Sequence, residues 1–154
     1  MTDTSKKIDP QHLRAAAMKA FLGVEAQVHQ GGLPPALVHL VKLLASVRNG
    51  CAYCVDMHTK NARAAGETEQ RLYATPVWRE APFFSARERA ALALTEALTR
   101  LTETGIPDAV FDEVRGQFSD AEIASLTTAI VAINMWNRLN AVIQHEVGSY
   151  QVAA

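Results

Sequence analysis

The spacing of apolar residues predicts helices along the whole chain. Apolar side chains recur every three or four residues in several stretches, the period that gathers them on one face of a helix. No stretch shows the convincing alternation of apolar and polar residues that a half-buried strand requires. The predicted helices cover about residues 10–30, 34–48, 51–65, 68–74, 86–104, 107–117 and 119–147. We therefore predict an all-α fold.

Capping residues mark where several of these helices begin and end. Residues 85–88 and 119–122 have the spacing of a capping box, in which a serine and a glutamate satisfy each other's backbone N–H groups. Asp9 before Pro10 has the form of an N-cap, so we expect the first helix to start there. The Asn49-Gly50 pair ends the second helix, because glycine readily adopts the conformations that terminate one.

The last predicted helix is nearly apolar on all sides between Ala129 and Trp136. A helix of that kind must be covered on more than one side. It is therefore either the central helix of the domain or part of a subunit interface. We count Trp136 and Trp78 among the core residues.

Length and composition indicate one domain and exclude two classes of partner. The 154 residues contain no linker, repeat or low-complexity segment, so we predict a single domain over 1–154 with its core at about 33–147. The net charge is −1 and no basic face carries interleaved aromatics, which argues against nucleic acid. No stretch reaches the roughly 18 apolar residues of a membrane span, and the N-terminus lacks a signal-peptide pattern. We expect a cytoplasmic protein that binds no membrane.

Both cysteines lie in one short segment, NGCAYCVDMH at 49–58. A helix starting near Cys51 places Cys51, Cys54 and His58 on one face. Residues three apart on a helix bring their Cβ atoms to roughly 5–6 Å, so a disulfide fits after a small adjustment. Unpaired N–H groups and the helix dipole favour a thiolate in the first turn. In a reducing compartment such a pair is redox-active or metal-binding more often than structural.

Two other interpretations of the cysteines stay open at this point. Cys51, Cys54 and His58 are three potential zinc ligands, and His39 on the preceding helix is a fourth. Three ligands on one helical face at this spacing are awkward for tetrahedral closure, which argues against zinc. Alternatively, the cysteines are inert and behave as small buried hydrophobes.

The chain around the cysteines resembles a known family. The run LVHLVKLLASVRNGCAYCVDMHTKNARAAGETEQRLYATPVWRE, its continuation FFSARERAALALTEALTRLT and the later INMWNRLN are similar to the alkylhydroperoxidase D-like branch of the carboxymuconolactone decarboxylase superfamily. The similarity spans roughly residues 33–141. Its specific part is the C-x-x-C-x-x-x-H motif in a helical context.

The resemblance implies an all-helical subunit that forms homo-oligomers, commonly trimers or hexamers, and reduces hydroperoxides with its thiols. It implies that Cys54 attacks the peroxide and that Cys51 resolves the product as a disulfide. His58 is placed to accept the Cys54 proton or to stabilise the thiolate. No cofactor is expected. An external thiol must reduce the disulfide, and the resemblance suggests a thioredoxin-like or dihydrolipoyl partner.

One position departs from the family pattern. Where the family usually has a glutamate twelve residues before the first cysteine, completing a proton relay, this chain has His39. A histidine also relays protons near neutral pH, so the relay is either kept in altered form or broken. Glu25 is a candidate to substitute from a distance. We interpret the remaining histidines as surface or packing residues: His12, His29 and His145.

Three classes of function follow from these residues. The favoured one is a hydroperoxide reductase with Cys54, Cys51, His58 and His39 as its catalytic residues. The second is a thiol-disulfide redox protein of the same fold with weak peroxidase activity, for which the missing glutamate is the argument. The third is a non-redox protein with bound zinc or inert cysteines. Lactone decarboxylation is disfavoured because superfamily members with that activity generally lack the cysteine pair.

Overall fold

The computed structural model describes residues 8–101 and 105–152, and all regular structure within those ranges is helical. The all-α prediction is therefore confirmed. The elements are a 3-10 turn (Pro10–His12), α1 (Ala15–Gln30), α2 (Pro35–Arg48), α3 (Ala52–Ala64), α4 (Glu69–Ala74), a 3-10 turn (Thr75–Val77), α5 (Ala86–Thr99), α6 (Asp108–Arg115) and α7 (Asp120–Ile143).

α2 is the central helix of the domain. α3, α5 and α7 all pack against it, and its side chains Leu40, Val41 and Leu44 are completely buried. The run of apolar residues in this helix is continuous enough to be covered on several sides. Its two polar members near the middle, His39 and Lys42, therefore lie in an unusually apolar setting.

α7 packs on α1, α2, α5 and α6. Leu126, Ile130 and Ile133 are completely buried on its packed side, whereas Val131 is 55% exposed and Val142 is 47% exposed on the other. α7 is thus not the central helix, and its outer face stays uncovered in the monomer. Within the described ranges, no helix is long and apolar enough to cross a membrane.

Both predicted capping boxes are present. The hydroxyl of Ser85 accepts a hydrogen bond from the backbone N–H of Glu88, while the carboxylate of Glu88 accepts one from the backbone N–H of Ser85. Ser119 and Glu122 make the same reciprocal pair at the start of α7. These local signals fix the starts of α5 and α7 because they need no partner from elsewhere in the chain.

The predicted start of the first helix is wrong by about five residues. Asp9 does cap a helical turn, since its side chain accepts a hydrogen bond from the N–H of Gln11. That turn is of the 3-10 type and ends at Leu13, whose backbone is extended. The α-helix starts only at Ala15, where a run of alanines raises helix propensity.

Two predicted helix ends are also too late. α7 ends at Ile143, because the side-chain oxygen of Asn140 accepts the backbone N–H of His145 and Gln144 adopts a left-handed conformation. α5 ends at Thr99, and Leu101, predicted within it, is 62% exposed. The rest of that predicted extension, residues 102–104, lies outside the described residues.

Candidate active site

The turn between α2 and α3 delivers Cys51 directly to the start of α3. Gly50 has φ +68°, in the left-handed region that glycine enters without strain. Its N–H donates to the carbonyl of Val47, and the N–H of Cys51 donates to that of Ser46, the paired bonds of a Schellman C-cap. α3 starts at the next residue, so Cys51 is its N-cap. The packing of α2 therefore fixes the position of the first cysteine.

Cys51 and Cys54 form a disulfide, with an S–S distance of 2.18 Å and a Cα–Cα distance of 5.3 Å. The pairing that their three-residue spacing allows is therefore present. The Sγ of Cys51 accepts hydrogen bonds from the backbone N–H of Cys54 and the side-chain amide of Asn140, both at 3.3 Å. N–H donors of this kind stabilise negative charge on a sulfur atom when the disulfide opens.

Cys54 faces a cavity of about 370 Å³ enclosed mainly by α1, α2, α3 and α7. This volume lies within the range of small-molecule sites. Its apolar lining includes Met18, Val38, Met57, Trp136, Leu139 and Ile143. The expectation that Trp136 belongs to the core is wrong: it is half-buried and lines this cavity, whereas Trp78 is buried as predicted.

His58 lies one helical turn after Cys54 and lines the same cavity. It is 5% exposed, and neither of its ring nitrogens has a hydrogen-bond partner within the described residues. Burial, followed by the charges of Lys42 and His39, lowers the pKa of His58 to about 3. The imidazole is therefore neutral at pH 7 and is a weak base in this disulfide state.

His39 reaches the cavity from α2. The ring is half-buried, and its Nδ1 has no hydrogen-bond partner among the described residues. Burial, followed by the charges of Lys42 and His29, lowers the pKa of His39. His39 and His58 line the same cavity, and the charge of His39 contributes to lowering the pKa of His58. Cys54, His58 and His39 thus line one cavity, and Cys51 is bonded to Cys54 at its edge.

A buried ion pair that the sequence analysis did not predict faces the same cavity. Lys42 is 4% exposed, and its ammonium donates to a carboxylate oxygen of Glu25 on α1. The other oxygen of Glu25 accepts a 3.2 Å hydrogen bond from the indole N–H of Trp136. The sequence does contain a feature from which the pair could have been predicted, a lysine inside the apolar run 37–45. Because burying an unpaired charge is costly, such a lysine needs an acidic partner.

The three histidines assigned to surface or packing roles are all exposed, yet two of them border the cavity. His12 lies at the surface in the first turn. His29 approaches the carboxylate of Glu25 at 3.5 Å. His145 stacks on Tyr53 with a ring-centroid distance of 4.9 Å, and both rings line the cavity.

The geometry of the sulfur atoms bears on the zinc interpretation. That interpretation needs thiolates at Cys51 and Cys54, and here the two sulfurs are bonded to each other. Over residues 8–101 and 105–152, no three His, Cys, Asp or Glu side chains are grouped so that they could hold a metal ion. The arrangement instead suits two-electron exchange between a dithiol and a disulfide.

Residues 15–97 match the carboxymuconolactone decarboxylase family. The uncharacterized protein YdfG of Bacillus subtilis (strain 168) is 35% identical over 136 residues, which cover 88% of this chain and 92% of YdfG.

Solved structures share the fold over most of its length. ATU0492 from Agrobacterium tumefaciens, a protein of unknown function suggested to be the antioxidant defence protein AhpD, has a TM-score of 0.88 at 41% identity, covering 94% of this chain and 99% of that one. The debrominase Bmp8 has a TM-score of 0.76 at 22% identity, covering 85% of this chain and 70% of that one, a likeness that shows the fold alone. This chain belongs to the carboxymuconolactone decarboxylase family and has the AhpD-like fold.

Proposed function

We propose that this protein is a thiol-dependent hydroperoxide reductase. The observation that carries the proposal is the Cys51–Cys54 disulfide, whose Cys54 side faces an apolar cavity that also holds His58. An apolar cavity suits the organic part of a hydroperoxide. A disulfide is the state that a completed turnover leaves behind. The antioxidant role suggested for ATU0492 supports the same proposal.

In the first step, the thiolate of Cys54 attacks the terminal oxygen of the hydroperoxide. The O–O bond breaks, Cys54 becomes a sulfenic acid, and the organic fragment leaves as an alkoxide. His58 takes the proton of the Cys54 thiol beforehand and returns it to the alkoxide, which leaves as an alcohol. The pKa of about 3 belongs to the disulfide state, and the negative charge of a Cys54 thiolate one turn away favours the protonated imidazole. The same low pKa favours return of the proton to the alkoxide.

In the second step, Cys51 attacks the sulfenic sulfur of Cys54. The S–S bond forms, the S–O bond breaks, and the hydroxide leaves as water with the proton of the Cys51 thiol. Each cycle thus moves two electrons from the cysteine pair to the peroxide. The proximity of the two sulfurs makes this second step effectively intramolecular.

The charged residues of the cavity have defined roles in this proposal. Lys42 places a buried positive charge at a mainly apolar cavity, where it stabilises the Cys54 thiolate and the departing alkoxide. Glu25 offsets the cost of burying that charge. His39 exchanges protons with His58, in place of the glutamate that the family usually carries.

Turnover in the presence of a small dithiol tests the proposal. With dithiothreitol as electron donor, we expect faster consumption of cumene hydroperoxide than of hydrogen peroxide, because the cavity is apolar. Cys54→Ser should abolish consumption above the dithiol background, and Cys51→Ser should remove disulfide formation. Ala64→Ser, an exposed substitution on the same helix, is the matched control. Equal rates for the two peroxides at background level would overturn the proposal.

A thiol-disulfide redox protein of the same fold is the second candidate. The observation that favours it is His39, which stands where the family's relay glutamate is expected. In that case the disulfide would exchange with external thiols, while the reduced cysteines would react with peroxide no faster than free dithiol does. Both candidate functions include thiol-disulfide exchange. The rate at which peroxide oxidises the reduced protein therefore distinguishes them.

A further inference from the structure

A second cavity lies on the other side of the disulfide. It is a surface groove of about 800 Å³ between the α2–α3 turn and the C-terminal end of α7. Cys51 lines this groove and Cys54 does not, whereas Cys54 lines the 370 Å³ apolar cavity and Cys51 does not. The two cysteines of the disulfide therefore face two different spaces.

The groove and the apolar cavity share a wall. Tyr53, Asn140 and His145 line both spaces. The rings of Tyr53 and His145 are stacked, and the side-chain oxygen of Asn140 lies 2.7 Å from Nδ1 of His145. Side chains that contact one another thus separate the Cys54 side from the Cys51 side. A molecule in one space does not need to displace a molecule in the other.

The lining of the groove differs chemically from that of the cavity. Its polar members are mainly side-chain amides, and neither lysine nor arginine lines it. The amides belong to Asn49, Asn137, Asn140 and Gln144. Asn137 is buried and hydrogen-bonded to Ser46 and Asn49, whereas the side-chain oxygens of Asn49 and Gln144 accept no hydrogen bond among the described residues. These oxygens can accept from the backbone N–H groups of a peptide. A flexible aliphatic chain, such as a dihydrolipoyl arm, gains more from the apolar cavity.

We propose that the groove is the docking site of a protein dithiol, carried on an exposed peptide loop of the thioredoxin-like kind, and that Cys51 is the sulfur it attacks. The proposal rests on the proposed function, in which each turnover leaves a disulfide to be reduced. It assigns the two spaces different substrates. Hydroperoxide enters on the Cys54 side, and the protein reductant enters on the Cys51 side.

The partner dithiol reduces the Cys51–Cys54 disulfide in two steps. A thiolate of the partner attacks Cys51, the Cys51–Cys54 bond breaks, and Cys54 leaves as a thiolate that takes up one proton. The second thiolate of the partner then attacks the partner's own sulfur in the mixed disulfide, so Cys51 leaves and takes up the other proton. The partner loses two electrons and two protons, and the two cysteines gain them.

The hydrogen bonds at Cys51 fit its role in the second step. The N–H of Cys54 and the amide of Asn140 both donate to the Sγ of Cys51. A leaving thiolate departs faster when its charge is stabilised. Departure of Cys54 in the first step is assisted from the other side of the disulfide, where the charge of Lys42 faces the cavity.

Blocking the groove tests where the reductant docks. Ala141 is exposed on α7 and lines the groove, and Ala124 is exposed on the same helix and lines neither space. The probes are a reduced thioredoxin and dithiothreitol, each added to protein oxidised beforehand with diamide. We expect Ala141→Trp to lower the ratio of the thioredoxin rate to the dithiothreitol rate by at least about tenfold, since the ring clashes with a docked loop. Ala124→Trp should keep the wild-type ratio. An unchanged ratio in Ala141→Trp would overturn the proposal.

A trapping experiment tests which sulfur is attacked. A thioredoxin variant without its second active-site cysteine stops at the mixed disulfide. Fragmentation of the peptide that contains both cysteines should place the adduct on Cys51, and an adduct on Cys54 would contradict the proposal. Failure of thioredoxin to reduce the protein, with rapid reduction by dihydrolipoamide, would also overturn it. Because the disulfide is made with diamide, these outcomes do not depend on whether hydroperoxides oxidise the protein.

Discussion

His39 faces the cavity from α2 with a half-buried ring, and burial lowers the pKa of its imidazole. If it exchanges protons with His58, then His39→Gln should slow oxidation of the cysteine pair by cumene hydroperoxide by about tenfold or more. This is less than the roughly 10²–10⁴-fold of a direct general acid–base group, because His39 acts through His58. Stopped-flow measurement of thiol loss gives the rate. His12→Gln removes an exposed imidazole and is the matched control. An unchanged rate in a folded His39→Gln protein would remove His39 from the relay.

The Glu25–Lys42 pair makes a prediction about stability. Glu25→Gln leaves the ammonium of Lys42 buried without a counter-charge, so we expect a loss of about 1–3 kcal/mol in the free energy of unfolding, less than for a fully buried pair because Glu25 is partly exposed. Denaturation by urea measures the loss. The double variant Glu25→Gln, Lys42→Met should recover most of it, since no buried charge remains. A double variant as unstable as the single one would show that the loss does not come from an unpaired buried charge.

The buried imidazole of His58 makes the fold sensitive to acid. Its pKa is about 3 in the folded protein and about 6.5 in the unfolded chain. Between these values the unfolded chain binds more protons, so the free energy of unfolding rises with pH and levels off above about pH 6.5. The slope from one such group is at most about 1.4 kcal/mol per pH unit.

Comparison of two variants isolates this slope. Glu88 and Glu96, whose pKa values are lowered mainly by their arginine partners against the opposing effect of burial, also weaken the fold in acid, but equally in every variant. We expect urea denaturation of the oxidised protein from pH 4 to pH 7 to show a shallower slope for His58→Gln than for wild type. His12→Gln should keep the full slope. Parallel curves for His58→Gln and wild type would mean that His58 is not buried as a neutral base.

At the scale of elements, the α2–α3 turn decides where the cysteines lie. Gly50→Ala places a Cβ in open space but at φ +68°, so its cost is conformational, about 1–2 kcal/mol in the free energy of unfolding. Gly23→Ala also meets open space, but in the helical interior of α1, where it should stabilise by up to about 1 kcal/mol. In thermal unfolding, Gly50→Ala should lower the midpoint temperature and Gly23→Ala should raise it. Stabilisation by Gly50→Ala would contradict the left-handed turn.

Local sequence signals predicted most element positions, and their failures have local causes. The serine–glutamate boxes before α5 and α7 were predictable because both partners lie within four residues. The end of α7 was not, because Asn140 uses its side chain to accept the N–H of His145, an alternative to the helical pattern that propensity does not reveal. Helix existence follows from periodicity, whereas helix ends depend on such single contacts.

In the candidate site, contacts within one helix were predictable from the sequence, whereas contacts between helices were not. The spacing of Cys51, Cys54 and His58 on one helix was sufficient to predict that they come together. The partnership of Glu25 with Lys42 joins two helices, and no spacing rule connects residues in different elements. Assignment of Trp136 to the core failed because an apolar, helical position lines a cavity as readily as it packs in a core.

For the whole molecule, the outer face of α7 predicts association. Val131 and Val142 are exposed on one side of this helix, which leaves apolar side chains available for contact with a second copy. The number of subunits expected is the one that the family resemblance implies. We expect sedimentation velocity to show a homo-oligomer, a trimer or a hexamer, and Val131→Glu to shift it toward the monomer. Val77→Glu, at an exposed valine on a different element, is the control. A monomeric wild-type protein at micromolar concentration would contradict this expectation.

The central claim is that Cys51 and Cys54 are a working peroxidatic pair. The most direct test is the intact mass and free-thiol count of the reduced protein before and after one equivalent of cumene hydroperoxide. We predict that both thiols disappear with a loss of two daltons, faster than free dithiothreitol reacts, and that Cys54→Ser abolishes this reaction. Thiols that persist, or that react no faster than free dithiothreitol, would contradict the hydroperoxide reductase assignment.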